Sequence, residues 1–85
     1  MATGTFSATG AGTTVSGSKF HVRLAYAQGG HTRIHLQSQM ASTAWLTVKT
    51  YDGSANDVYD PGETVSVRLL CDNYGQSVEW SLAAV

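Results

Sequence analysis

Apolar and polar residues alternate along most of the chain with a period of two, the spacing that sets successive side chains on opposite faces of a β-strand. From Ser18 to Tyr26, Phe20, Val22, Leu24 and Tyr26 share one face, with Lys19, His21, Arg23 and Ala25 on the other. Beyond Gln28-Gly29-Gly30, the stretch His31 to Met40 sets Ile34, Leu36 and Met40 against His31, Arg33, His35, Gln37 and Gln39. Ala44 to Tyr51 places Leu46 and Val48 opposite Trp45, Thr47 and Lys49. Thr64 to Cys71 is the clearest strand, with Val65, Val67, Leu69 and Cys71 facing one way and Ser66 and Arg68 the other. Gln76 to Leu82 follows, with Val78, Trp80 and Leu82 inward. Between these runs lie Asp52-Gly53, Asp60-Pro61-Gly62 and Asp72-Asn73-Tyr74-Gly75, turn chemistry in which Gly supplies positive φ and Pro fixes φ at the first corner. No segment carries apolar residues at i, i+3, i+4 and i+7, so no significant helix is expected. The pattern predicts an all-β fold, a small antiparallel β-sandwich or barrel-like domain of about 6–8 short strands.

Residues 1–17 differ from the rest in being dominated by Gly, Ser, Thr and Ala. Thr3 to Ala8 and Gly12 to Ser16 are expected to pair as a hairpin about Thr9-Gly10, anchored by Phe6 and Val15. The other option is an arm that orders only against a neighbour. On either reading residues 1–17 supply assembly contacts, through Thr3, Thr5, Phe6, Thr13 and Val15, and residues 18–85 form the sandwich core. Removal of residues 2–16 is then expected to leave a folded domain. The 85 residues make one domain overall.

Composition narrows the function. Charged residues are 13% of the chain, about half the usual share of a soluble domain. Ten Thr, nine Ser, nine Gly and ten Ala stand in their place. A net charge of -1 argues against nucleic acid as a partner, because phosphate binding rests on Lys and Arg releasing condensed counterions. The lack of a basic cluster argues in the same way against an anionic membrane. The N-terminus shows no basic, apolar secretory pattern, and no run approaches the length of a membrane span. Cys71, the one cysteine, has no internal disulfide partner. A product of the cell interior, or one assembled there and released, is expected.

Chemistry-bearing residues do not form a catalytic set. His31 and His35 lie four apart on one strand, about 13 Å at the strand rise, too far to share an ion. A cross-strand His21–His35 pair would have Arg33 beside it to repel a cation. No metal site and no cofactor are expected. Asp52, Asp57 and Asp60, with Glu63 near, lack the spacing of a calcium loop and read as a solvated loop. Cys71 falls on an inward face and reads as a buried small hydrophobe. With no nucleophile motif and no phosphate cradle, the sequence does not read as an enzyme. Aromatic residues are the remaining handle. Trp45, Tyr51, Tyr59 and Tyr74 are candidates for a glycan-stacking platform; aromatics are equally at home in a protein interface.

The order of features carries a resemblance. Ala2-Thr3-Gly4-Thr5-Phe6-Ser7-Ala8-Thr9-Gly10 opens the chain, and a strand ending in Leu36-Gln37-Ser38 leads to Ala44-Trp45-Leu46-Thr47-Val48. Asp60-Pro61-Gly62-Glu63 and Val67-Arg68-Leu69-Leu70-Cys71 follow. The whole resembles small all-β structural proteins of tailed-bacteriophage virions, the capsid decoration and head-fibre proteins. It departs from their pattern at Met40-Ala41-Ser42-Thr43, where an Asp-Gly turn would stand, and at Val67, where an aromatic would precede Arg68. The resemblance implies a virion protein, assembled in the host cytoplasm, that binds the outer capsid surface and stabilises the shell. It carries over no catalytic residue. The implied partners are the major capsid protein or another virion protein, and further copies of the chain, a trimer among the expected oligomers. The alternative is a carbohydrate- or host-surface-binding module on a fibre or tail, using the four aromatics above.

Overall fold

The computed structural model describes residues 2–25, 32–39, 44–73 and 77–85 of the chain. Among them are nine strands and no helix: β1 (Ala2–Phe6), β2 (Gly10–Ala11), β3 (Val15–Gly17), β4 (Phe20–Ala25), β5 (Arg33–Gln39), β6 (Trp45–Tyr51), β7 (Ala55–Tyr59), β8 (Val65–Asn73) and β9 (Val78–Ala84). They form two antiparallel sheets, a β-sandwich. The front sheet runs β1-β9-β4-β7. The back sheet runs β6-β5-β8, with β2 and β3 both laid along the remaining side of β8. The β2 and β3 pieces act as one broken edge strand.

The period-two pattern decides what lies between the sheets. Phe20, Val22 and Leu24 of β4 and Val78, Trp80 and Leu82 of β9 are buried from the front, and Ile34 and Leu36 of β5 with Val67, Leu69 and Cys71 of β8 from the back. These are the faces the alternation marks as inward; Tyr26 and Met40 lie outside the described residues. Burying a side chain of this size is worth about 1.5–3 kcal/mol, so these rows hold the sheets together. Asp60-Pro61-Gly62 makes the expected turn. Gly62 has φ 81° and its amide donates to the Asp60 carboxylate at 3.1 Å.

Four expectations are corrected. Residues 3–8 and 12–16 do not pair with each other: β1 pairs with β9 in the front sheet, while β2 and β3 pair with β8 in the back one. The segment therefore straddles the sandwich. Phe6 is buried at 7% exposure and belongs to the core, so it is not free to touch a partner. Second, β6 carries a bulge. Leu36 pairs with Lys49 and Gln37 with Thr47, leaving Val48 as the extra residue, and one extra residue reverses the alternation beyond it. Trp45 and Thr47 stay on the outer face, but Tyr51 pairs with Ile34 and packs on the core. Leu46, expected inward, is 49% exposed because β6 is an edge.

Third, residues 55–59 are a strand, β7, where a solvated loop was expected. Asp57 pairs with Val22 on the inward row, and this buried-side carboxylate hides the apolar alternation of Ala55 and Tyr59. Fourth, His21 and His35 belong to different sheets and are not cross-strand neighbours.

Candidate functional site

One flank of the sandwich, between β1 and the β2–β3 edge, is filled by Trp80. Its indole lies against backbone where a side chain would not fit. A Cβ on Gly4 would sit 3.0 Å from Trp80 Nε1, and one on Gly12 only 2.8 Å from Trp80 Cζ2. Phe6 stacks on the same indole, centroids 5.7 Å apart and planes at 24°. The Gly12 amide donates to the Leu69 carbonyl at 2.8 Å, tying the crossing chain to β8. Gly4 and Gly12 thus serve close approach to an indole, where flexibility is the obvious reading of glycines in such a segment. Residues 2–16 are built into the core, and their removal would expose Trp80.

The opposite flank, between β6 and β7, is closed by polar groups. Asp57 Oδ2 accepts from Lys49 Nζ at 2.6 Å and from the Tyr51 hydroxyl at 2.9 Å, while Asp57 Oδ1 accepts from the Val58 amide at 2.9 Å. Lys49 leads in holding the Asp57 carboxyl below the usual carboxylate range, Tyr51 and the Val58 amide adding to it against partial burial. Burial pushes the Tyr51 hydroxyl well above the ordinary phenol range, and the Asp57 hydrogen bond and charge push the same way.

The outer face of the front sheet holds a concavity of about 670 Å³ whose floor includes Thr3, Thr5, Arg23, Asn56, Glu79 and Ser81. The register explains the gathering: Thr3, Ser81, Arg23 and Asn56 lie in one cross-strand row, and Thr5, Glu79 and Ala25 in the next on that face. Two of the five expected assembly residues, Thr3 and Thr5, are therefore brought together here, on an open sheet edge. Thr13 is exposed between β2 and β3, and Val15 packs half-buried on the core. Arg23, Asn56, Glu79 and Ser81 were not singled out in the sequence. Alternation alone marks them as outward, but only strand order makes them neighbours of Thr3 and Thr5.

On the outer face of the back sheet, the Arg68 guanidinium lies 4.2 Å from the Trp45 ring centroid. Arg68 Nε donates to Gln37 Oε1 at 2.9 Å, and Gln37 Nε2 donates to Thr47 at 3.4 Å. Further along, His35 Nε2 donates to Asp72 at 3.1 Å, which leaves Nδ1 of a neutral ring to accept from the Thr50 hydroxyl at 2.8 Å. This acid–imidazole–hydroxyl row spans three paired strands, Asp72 on β8, His35 on β5 and Thr50 on β6. It fastens β6 and β8 to β5.

The four aromatics do not form one platform. Trp45 lies on the outer back face beneath Arg68, Tyr51 points into the polar flank, and Tyr59 stacks on Phe20 at 6.3 Å between centroids. Tyr74 lies outside the described residues, as do His31 and the expected turn at residues 28–30. Cys71 is buried at 1% exposure, with burial first and the Asp72 charge second raising its thiol pKa, which leaves it little thiolate. Among the described residues no three His, Cys, Asp or Glu side chains are placed to hold a metal ion. No family model matches the chain, and neither a curated protein nor a solved structure matches it.

Proposed function

We propose that the domain is a non-catalytic structural protein of a tailed-bacteriophage virion, a capsid decoration protein that docks on the shell through β1 and the concave front face beside it. The motifs quoted above suggest the virion class, and one observation carries the docking mode. β1 is a regular, neutral strand held firmly from inside by Phe6 and Trp80, and it ends the front sheet. An edge strand is a template for added backbone pairing. The hydroxyls of Thr3, Thr5 and Ser81 beside it hydrogen-bond a partner at lower desolvation cost than charges would. Thr3 and Thr5 are the contact residues on this reading, Thr13 lies on the loop between β2 and β3, Phe6 holds β1 in place from the core, and Val15 belongs to the back sheet.

Quantitative mass spectrometry of purified virions tests the proposal. The chain should be found at a copy number on the scale of the major capsid protein and be released by mild dissociation that leaves shells intact. Its absence from particles, or a handful of copies per particle, overturns the decoration role.

A further inference from the structure

Among the described residues the sandwich has four sheet edges, and three carry features that discourage pairing. The β6 edge is bulged at Val48 and bears Lys49. The β7 edge bears Asp57 and is bracketed by Asp52 on one side and Asp60-Pro61 on the other. The β2–β3 edge is broken into pieces of two and three residues around Gly12. Charge, bulges, proline and short length are the devices by which natural sheets avoid joining edge to edge. β1 has none of them. Its five residues pair with β9 without a register shift and include no charged side chain and no proline.

We propose that β1 is a self-pairing edge, and that two copies of this chain join through antiparallel β1–β1 pairing about a two-fold axis at Gly4. Two conditions select this register. Outward residues must meet outward residues, because a slip by one would turn Thr3 and Thr5 towards the inward row. Full use of a five-residue strand against its own copy then centres the axis on its third residue. Thr3 of each copy faces Thr5 of the other, a hydroxyl pair of the kind found across strands. Ala2 faces Phe6 on the inner side, and Gly4 faces Gly4. The two front sheets become one sheet of eight strands, and the concave faces lie side by side across the axis. No charge on β1 opposes its twin, whereas either opposite edge paired with itself would set Lys49 near Lys49 or Asp57 near Asp57. The contact deepens the proposed docking role: a second copy takes the backbone edge of β1, and the joined concave faces, with the outward Thr3 and Thr5 hydroxyls, are left to meet the shell. Its test is read on the purified chain with no capsid present, so the two readings fail separately.

Sedimentation velocity over a range of concentrations, with circular dichroism to confirm the fold, decides it. The native chain should show a concentration-dependent dimer. Thr3→Lys/Thr5→Lys sets lysine opposite lysine twice and should raise the dimer Kd roughly tenfold. Thr3→Lys/Thr5→Glu places opposite charges across the axis and should restore the native Kd or better. This second variant also serves as the control should the double lysine perturb folding. A native chain that stays monomeric into the millimolar range overturns the proposal. So does a trimer, or a dimer whose Kd is indifferent to all three charge patterns.

Discussion

Trp80 closes one flank of the sandwich with an indole pressed against glycine backbone, while the other flank is closed by Lys49 and Tyr51 sharing the Asp57 carboxylate. Both solutions fill the gap where the outermost strands of two sheets part, but the energetics differ. The Trp80 flank works by excluded water and close packing, which depends on shape and hardly on pH or salt. The Asp57 flank works by charge-assisted hydrogen bonds in a half-exposed site, which depend on both. The difference bears on the proposed function: the dry flank fixes β1, the strand that ends the front sheet among the described residues and that the proposed contacts use.

The largest effect should come from the indole. Trp80→Ala is expected to cost about 3–5 kcal/mol. That is comparable to the entire stability of a small domain, about 5 kcal/mol at the low end, so urea titration should show a fold left with about 0–2 kcal/mol and a midpoint moved close to zero denaturant. Gly12→Ala comes next, at about 1–3 kcal/mol, since its new Cβ meets Trp80 Cζ2 and Cη2 at 2.8 and 3.0 Å. Those atoms are missing from phenylalanine. Thermal melts of a double-mutant cycle should therefore show Gly12→Ala costing less on a Trp80→Phe background than on the native one. Equal costs on both backgrounds would mean that the glycine is not there for the indole.

The polar flank should respond more weakly but to different variables. Tyr51→Phe removes one hydroxyl and is expected to cost about 0.5–1.5 kcal/mol. The Asp57 carboxyl is depressed in the folded state, so its contribution is present above the ordinary carboxylate pKa, about 4, and is lost as pH falls below that. The Tyr51 hydroxyl is raised, so its contribution is complete below the ordinary phenol pKa, about 10, and fades at higher pH. Denaturation across pH should show Asp57→Asn flattening the acid limb and Tyr51→Phe the alkaline one. The smallest effect is expected for Lys49→Ala, about 0.2–1 kcal/mol, shrinking as salt approaches roughly 1 M. A cost independent of salt would contradict the ion-pair account.

The two flanks were also unequally legible in the sequence. Rows such as Phe20-Val22-Leu24 and Val67-Leu69-Cys71 announce themselves by period two, and so the sandwich was readable. Trp80 was legible as inward, but its partners were not: Gly4 and Gly12 resemble linker glycines until β9 and β8 are known to draw them to opposite sheets. Asp57 was misread because a carboxylate on an inward row looks like a loop residue. Its partner Lys49 reaches the inward side only through the bulge at Val48, which alternation cannot foretell. The candidate docking face was half legible. Thr3 and Thr5 stood out for their place in a neutral, hydroxyl-rich segment, whereas Arg23 and Glu79 join them only through the strand order β1-β9-β4.

Hydrogen–deuterium exchange across residues 2–17 of the native chain tests the central claim most directly, that this segment is a built-in edge and not an arm. Dilute protein should show amides of β1 that face β9 protected to a degree like those of β4, while the alternate, edge-facing amides exchange quickly. Raising the concentration should slow those edge-facing amides and leave Thr13 and Thr14 unchanged. Free exchange throughout residues 2–17, with β4 and β8 still protected, would contradict the account.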